Sequence, residues 1–142
     1  MEERSPAQVY ALLFGLILVA AGIVGFFYSS AFGEPGKVDA VLGILDVNGW
    51  HNLVHIATGL IGLAVFTSYT NSRLYAIGLG ALYVAIAVWG FILGSGSNLL
   101  GIIPINTEDN FLHLLIGIAG LGAGFGTPAV KPPTTVAPGE AR

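Results

Sequence analysis

The chain contains no cysteine, which excludes disulfides, iron–sulfur clusters and thiolate metal sites together. Charge is also scarce, because 9% of the 142 residues are charged, whereas a soluble domain carries roughly 25%. The few charges sum to −3 and form no basic cluster, so the sequence gives no sign of nucleic-acid binding. Hydrophobic residues, by contrast, make up 54% of the chain.

Charged residues are absent from four long windows, each longer than the ~20 residues that cross a bilayer core of ~30 Å. Hydrocarbon cannot satisfy loose backbone groups, and these runs rarely alternate with polar residues, so helices are expected rather than a barrel. The pattern predicts an all-α, polytopic membrane protein with four transmembrane helices. Their predicted spans are residues 8–30, 52–69, 74–93 and 110–125.

Two segments complete the predicted organisation: a transmembrane domain over residues 1–126 and a proline-rich cytoplasmic tail over residues 127–142. A cleaved signal peptide is the alternative interpretation of the first span. Its apolar region is too long for a signal peptide, and the internal repeat described next needs this helix. The sequence therefore favours four retained spans.

Basic residues predict the orientation in the membrane. Arg4, Arg73, Lys131 and Arg142 flank one side of the predicted spans, and Lys37 alone lies on the other side. Both termini are therefore expected in the cytoplasm, with the loop at residues 31–51 and the turn around residue 108 facing outward. The predicted location is an inner (plasma) membrane.

Sequence self-similarity predicts that the bundle consists of two duplicated helical hairpins. With an offset of 58 residues, LGILDVNGWHNLVHIATGLIGL from Leu42 aligns with LGIIPINTEDNFLHLLIGIAGL from Leu100. An offset of 65 residues aligns the first helix with the third, including Tyr10 with Tyr75 and Gly15 with Gly80. Two parallel copies related by a pseudo-two-fold axis along the membrane normal would place equivalent residues at equal depth.

Polar residues and glycines share one stripe on the second helix and one on the fourth, because they recur three, four and three residues apart. Glycine lets a neighbouring membrane helix approach closely, so these stripes are predicted to face inward. The predicted polar motif is Asn52, His55, Asn110 and His113, and the predicted packing glycines are Gly59, Gly62, Gly117 and Gly120.

Two polar motifs carry a family resemblance. Asn-Gly-Trp-His-Asn-x-x-His at residues 48–55 and Asn-x-x-Asp-Asn-x-x-His at residues 106–113 resemble domain-of-unknown-function family four-three-eight-three. The resemblance extends from roughly Val9 to Phe125. It implies a bacterial four-helix integral membrane protein and supplies no activity.

The histidines have two interpretations. In the structural one, His55 and His113 hydrogen-bond across the bundle while Asn52 and Asn110 cap the outer ends of their helices. In the other, His55 and His113 bind a haem or a metal ion. Lys37 alone could pair with haem propionates, and a metal needs more ligands than two imidazoles, so no metal ligands are predicted and the cofactor stays unidentified. His51 is expected to the side of His55, toward the wet interface.

No nucleophile elbow, phosphate loop or zinc-protease motif occurs, so no enzyme and no catalytic residue is predicted. The leading hypothesis is a small accessory or structural subunit of a larger membrane complex, with the bilayer and other membrane subunits as partners. Its motivation is the proline-rich tail, which should be disordered alone. A small transporter is a further alternative, which the lack of Asp and Glu inside the spans disfavours.

Overall fold

Four helices and two short β-hairpins alternate along the chain, and a computed structural model describes them over residues 3–32 and 39–133. Each β-hairpin joins two helices of an antiparallel pair, and a three-residue turn joins the two pairs. The elements are α1 (Pro6–Tyr28), β1 (Asp39–Val41), β2 (Leu45–Val47), α2 (Gly49–Val65), α3 (Tyr69–Leu93), β3 (Ser97–Leu99), β4 (Ile103–Ile105) and α4 (Thr107–Phe125). The described part of the chain is therefore mostly helical, with four helices.

The helices begin at residues that suit helix starts. A capping box begins α1, since the Ser5 hydroxyl accepts from the Gln8 backbone N–H and the Gln8 side chain accepts from the Ser5 N–H. Ser68 caps α3. Asn48 and Asn106 cap α2 and α4.

The predicted caps were wrong by one turn. Asn52 and Asn110 lie inside α2 and α4, four residues after the true caps. The reason is that each helix starts earlier than its apolar run does: the Asn48 side chain accepts the His51 N–H and the Asn106 side chain accepts the Asp109 N–H. Polar first turns therefore belong to these helices, although hydropathy alone places them in loops.

The two β-hairpins were not predicted from the sequence. Val41 pairs with Leu45 in the first hairpin, and Leu99 pairs with Ile103 in the second. Leu42 and Leu100 form the turns with positive φ angles of 56° and 53°, each followed by a glycine with positive φ. Leucine is uncommon in this conformation, and both leucines expose most of their surface.

Close backbone contacts hold each helix pair together. A Cβ atom placed on Gly59 in α2 would lie 2.7 Å from the Gly15 carbonyl oxygen in α1, and one on Gly117 in α4 would lie 2.9 Å from the Gly80 carbonyl oxygen in α3. These distances are too short for any side chain. Glycine at these positions is therefore what lets the backbones approach.

Two tyrosines tie the helix pairs to each other. The Tyr10 hydroxyl on α1 donates to the Ile116 carbonyl on α4, and the Tyr75 hydroxyl on α3 donates to the Thr58 carbonyl on α2, both at 3.1 Å. The same two hydroxyls occupy the space beside the predicted packing glycines: a Cβ on Gly62 would lie 2.6 Å from the Tyr75 oxygen, and one on Gly120 would lie 2.7 Å from the Tyr10 oxygen.

Large apolar side chains lie mostly on the outside of the helices, while small and polar residues fill much of the interior. Phe27, Leu74 and Leu115 are more than half exposed. By contrast, Asn52 is fully buried, and Asn110 is 1% exposed. By length and composition, α1 and α3 are apolar enough to cross a membrane.

Substitution of the contact glycines should destabilise the bundle. We expect Gly59→Ala and Gly117→Ala to lower the Tm in detergent, because each new methyl group would overlap a backbone atom of the partner helix. Gly78→Ala is the matched control: Gly78 lies in α3, with nothing within 4 Å of an added Cβ atom. Its Tm should stay level or rise slightly, as the helix propensity of alanine predicts. Equal Tm values for all three variants would contradict this packing.

Candidate functional site

All three histidines of the chain meet at the end of the bundle that carries the β-hairpins. His51 and His55 are one turn apart on α2, so they share a face, and His113 approaches from α4. The ring centroids of His51 and His55 are 4.5 Å apart, and His113 lies 5.8 Å from His51 and 6.1 Å from His55. One ring nitrogen from each residue lies within 4.8 Å of the other two.

His51 is held in one orientation. Its Nδ1 lies 2.9 Å from the Asp46 carbonyl oxygen. A carbonyl oxygen only accepts, so Nδ1 carries the proton and Nε2 keeps its lone pair. That Nε2 is buried without a hydrogen-bond partner among the described residues, as is Nδ1 of His113.

The predicted position of His51 at the wet interface was wrong. His51 is 3% exposed. The residue is buried because α2 starts at Gly49 and strand β2 ends beside it, so that the chain before the helix covers its first turn. The β-hairpin, which hydropathy does not reveal, thus moves a third histidine into the cluster with the two predicted ones, His55 and His113.

A cavity of about 40 Å³ lies against the three imidazoles. Tyr83 of α3 also borders it and packs its ring edge against His113, with the centroids 5.1 Å apart. The rest of the lining is aliphatic and comes from α2, α3, β3 and β4: Val54, Leu82, Ile86, Leu99, Ile103 and Ile105. The open side of the histidine cluster is therefore apolar.

The asparagines of the polar motif have a different environment from the histidines. The Asn52 amide nitrogen donates to the Ser29 carbonyl at 2.8 Å, and its oxygen contacts the position where Gly25 lacks a side chain. Asn110 packs in the same way against Gly90. These contacts hold the C-terminal end of α1 against α2 and the C-terminal end of α3 against α4.

The two cap asparagines join the β-hairpin connections. The Asn48 amide donates to the Ile102 carbonyl, and the Asn106 amide donates to the Ile44 carbonyl, each at 2.6 Å. Each asparagine thus caps its own helix with its oxygen and holds the opposite hairpin with its nitrogen. The covering of the histidine cluster depends on these reciprocal bonds.

Asp109 supplies a buried carboxyl group above the cluster, before the proposed span at residues 110–125. It is 4% exposed, and its carboxylate accepts from the Asp46 N–H at 3.1 Å. Asp46 in turn accepts from His51 through its carbonyl. Burial raises the pKa of the Asp109 carboxyl to about 7, although the hydrogen bonds from the Asp46 and Asn106 backbones oppose this shift.

Comparison with known proteins identifies the family. The family model for a domain of unknown function, DUF4383, matches residues 8–126. The chain belongs to the DUF4383 family. This confirms the resemblance drawn from the two polar motifs. The comparison with curated proteins found no match, and neither did the comparison with solved structures.

The chemistry available to this DUF4383 protein at the hairpin end is that of three clustered imidazoles with lone pairs. His51, His55 and His113 are the residues that could hold a metal ion, because their nitrogens converge. From the sequence, two imidazoles were expected at this end of the bundle, and no metal ligands were therefore predicted. The i, i+4 spacing of His51 and His55 on one helix is the signal that could have identified the third.

Asp109 should make stability depend on pH. Because the folded protein binds the Asp109 proton more tightly than the unfolded chain does, its favourable contribution is fully present below about pH 4 and is lost as the pH rises to about 7. Asp109→Asn keeps an acceptor for Asp46 and cannot ionise. We therefore expect this variant to have a higher Tm than the wild type at pH 8, with a gap that narrows toward pH 4.

The exposed neighbour Glu108 provides the control, since Glu108→Gln removes a negative charge at the same helix end while the buried Asp109 keeps its ionisable carboxyl. Thermal unfolding in detergent is measured for both variants across this pH range. A Tm gap for Asp109→Asn that does not change with pH would contradict the assignment of a raised pKa to Asp109.

Proposed function

We propose that this DUF4383 protein is a four-span integral membrane protein that serves as a small accessory or structural subunit, and not as an enzyme. One observation carries the membrane part: apolar side chains cover the outside of all four helices, while glycine, alanine, asparagine and serine fill much of the inside. This arrangement suits a lipid environment, where close packing of small residues and interhelical hydrogen bonds hold helices together.

The lengths of the shorter helices support four spans. Helix α2 has 17 residues and α4 has 19, which at 1.5 Å per residue gives about 26 and 29 Å, close to a bilayer core of ~30 Å. Both expose bulky apolar side chains along their length, such as Leu60, Ile61, Leu115 and Ile118. In water, such a surface would be an unusually large apolar patch.

Matching contacts support the duplication. The bond from Asn48 to Ile102 and the bond from Asn106 to Ile44 join residues that exchange places under the offset of 58. The tyrosine hydrogen bonds follow the same exchange. Tyr10 corresponds to Tyr75 under the offset of 65, and their acceptors, Ile116 and Thr58, correspond under the offset of 58. Two copies of one hairpin related by a pseudo-two-fold axis would produce such reciprocal pairs.

The charges support an orientation with both termini in the cytoplasm of a bacterium. Arg4 lies over the Phe66 ring, and Arg73 donates to the Thr127 carbonyl, so both lie at the end opposite the β-hairpins. Lys131 borders the same groove as Arg4. Basic residues flank cytoplasmic ends of spans, which makes the hairpin end the outer one.

Of the alternative functions, haem binding is disfavoured because a cavity of about 40 Å³ is far below the roughly 300 Å³ at which ligand pockets begin. A transporter is disfavoured because Asp109, at the start of α4, is the one buried acidic residue in the described helices.

For the accessory role, the apolar exterior offers a surface to other membrane subunits as well as to lipid. Residues 134–142 of the tail lie outside the described residues.

Cysteine labelling tests the four-span topology, since the chain has no cysteine of its own. Leu42→Cys and Leu100→Cys place a thiol on the two exposed hairpin turns, and Thr67→Cys places one on the exposed turn between α2 and α3. We expect a membrane-impermeant maleimide to label positions 42 and 100 in intact cells and position 67 only after permeabilisation.

The competing topology gives a different result. If α1 and α3 alone crossed the membrane, positions 42 and 67 would lie on one side and position 100 on the other. Joint labelling of 42 and 67 would thus contradict four spans. Ser72→Cys is unsuitable as the inner probe, because Ser72 is fully buried and would stay unlabelled in either topology.

A further inference from the structure

We infer that His51, His55 and His113 bind a divalent transition-metal ion, for which Zn²⁺ is the best-suited species. This goes beyond the proposed role as a structural subunit, which needs no metal. The inference rests on the convergence of the three imidazoles from two helices, and these are all the histidines that the chain contains.

The distances fit a site that closes on an ion. Imidazole nitrogens that bind one Zn²⁺ at about 2.0–2.1 Å in tetrahedral geometry lie about 3.3 Å from one another. The three nitrogens here are within 4.8 Å of one another without an ion. Small rotations of the rings would bring them to coordination distance, so the helices need not move.

The hydrogen bonding leaves lone pairs free at the right atoms. The Asp46 carbonyl holds the proton of His51 on Nδ1, which leaves Nε2 as a ligand atom. Nε2 of His51 and Nδ1 of His113 are both buried without a partner among the described residues. A buried polar atom without a partner costs free energy, and a metal ion would satisfy both atoms together.

The donor set selects the class of metal. Neutral imidazole suits Zn²⁺, Cu²⁺ and Ni²⁺, whereas Ca²⁺ and Mg²⁺ require oxygen ligands. No carboxylate belongs to the cluster as described. The buried Asp109 is tied to His51 through the Asp46 backbone and lies one turn before His113 on α4, but it does not belong to the cluster.

Three protein ligands leave one tetrahedral position open. Structural zinc sites usually close with four protein ligands, while sites with three bind a water molecule or another exchangeable ligand. The cavity of about 40 Å³ beside the imidazoles has room for such a small ligand. No carboxylate or further imidazole lines this cavity, so we expect a water molecule or another small exchangeable ligand in the fourth position.

Zinc titration of the full chain in detergent tests the site. After removal of metal with a chelator, we expect the wild type to take up one Zn²⁺ per chain by elemental analysis and to gain Tm on binding. Each of His51→Gln, His55→Gln and His113→Gln should weaken binding roughly 100-fold or more, because even loss of an outer-shell partner typically costs 10–100-fold. Glu108→Gln, which removes an exposed carboxylate at the same end of the bundle, should bind as the wild type does.

Co²⁺ in place of Zn²⁺ gives a measurement that needs no variant. Wild-type protein with Co²⁺ should show the strong visible bands of four-coordinate cobalt, and azide should shift them by occupying the open position. Weak bands of six-coordinate cobalt, uptake of substoichiometric zinc, or equal zinc affinity in the wild type and the three histidine variants would overturn the site. A four-coordinate spectrum that azide leaves unchanged would overturn the open position.

Discussion

Close backbone contact at glycine is the constraint on which the rest of this bundle depends. Gly59 meets α1 at Gly15, and Gly117 meets α3 at Gly80, and in both contacts backbone lies against backbone. A contact of this kind fixes both the distance and the relative height of two helices, because a shift along the axis would bring a side chain against the partner backbone. The hairpin ends of α2 and α4 are thereby held at defined heights against α1 and α3.

From this constraint follows the polar layer at the hairpin end. With the helices so close, Asn52 reaches the surface of α1 at Gly25, and Asn110 reaches α3 at Gly90. The imidazoles of His55 and His113, one turn further along, then face the space between α2 and α4, where their rings meet. Their burial is completed by the β-hairpins, which Asn48 and Asn106 hold in place across the two helix pairs.

The two cap asparagines and the histidines at the hairpin end differ in how their polar side-chain atoms are hydrogen-bonded. Asn48 and Asn106 use both ends of the side chain, as helix caps and as donors to the opposite hairpin. The histidines have a proton fixed at His51 and lone pairs that no described residue meets. The side-chain oxygens of Asn52 and Asn110 are also buried without a hydrogen-bond partner, so the convergence of three ring nitrogens within 4.8 Å of one another is what distinguishes the candidate ligand site from the scaffold.

The four helices could be predicted from the sequence because each one largely coincides with a long, charge-free apolar run. The stripe of Asn, His and Gly likewise predicted which residues lie inside, since helical periodicity depends on local spacing alone. The missed features depend on tertiary contacts. These features are the β-hairpins, the caps at Asn48 and Asn106, and the burial of His51. Each arises where a distant segment covers the polar first turn of a helix, and no local sequence pattern indicates such a contact.

X-ray absorption spectroscopy on the zinc-loaded, full-length protein tests the central claim most directly, because it reports the ligands of the ion itself. The account predicts a four-coordinate shell that contains three imidazole nitrogens at about 2.0–2.1 Å, with the outer-shell scattering typical of histidine rings. A shell of oxygen donors without imidazole scattering would contradict it, since the zinc would then be bound by the acidic surface and the three histidines would not share an ion.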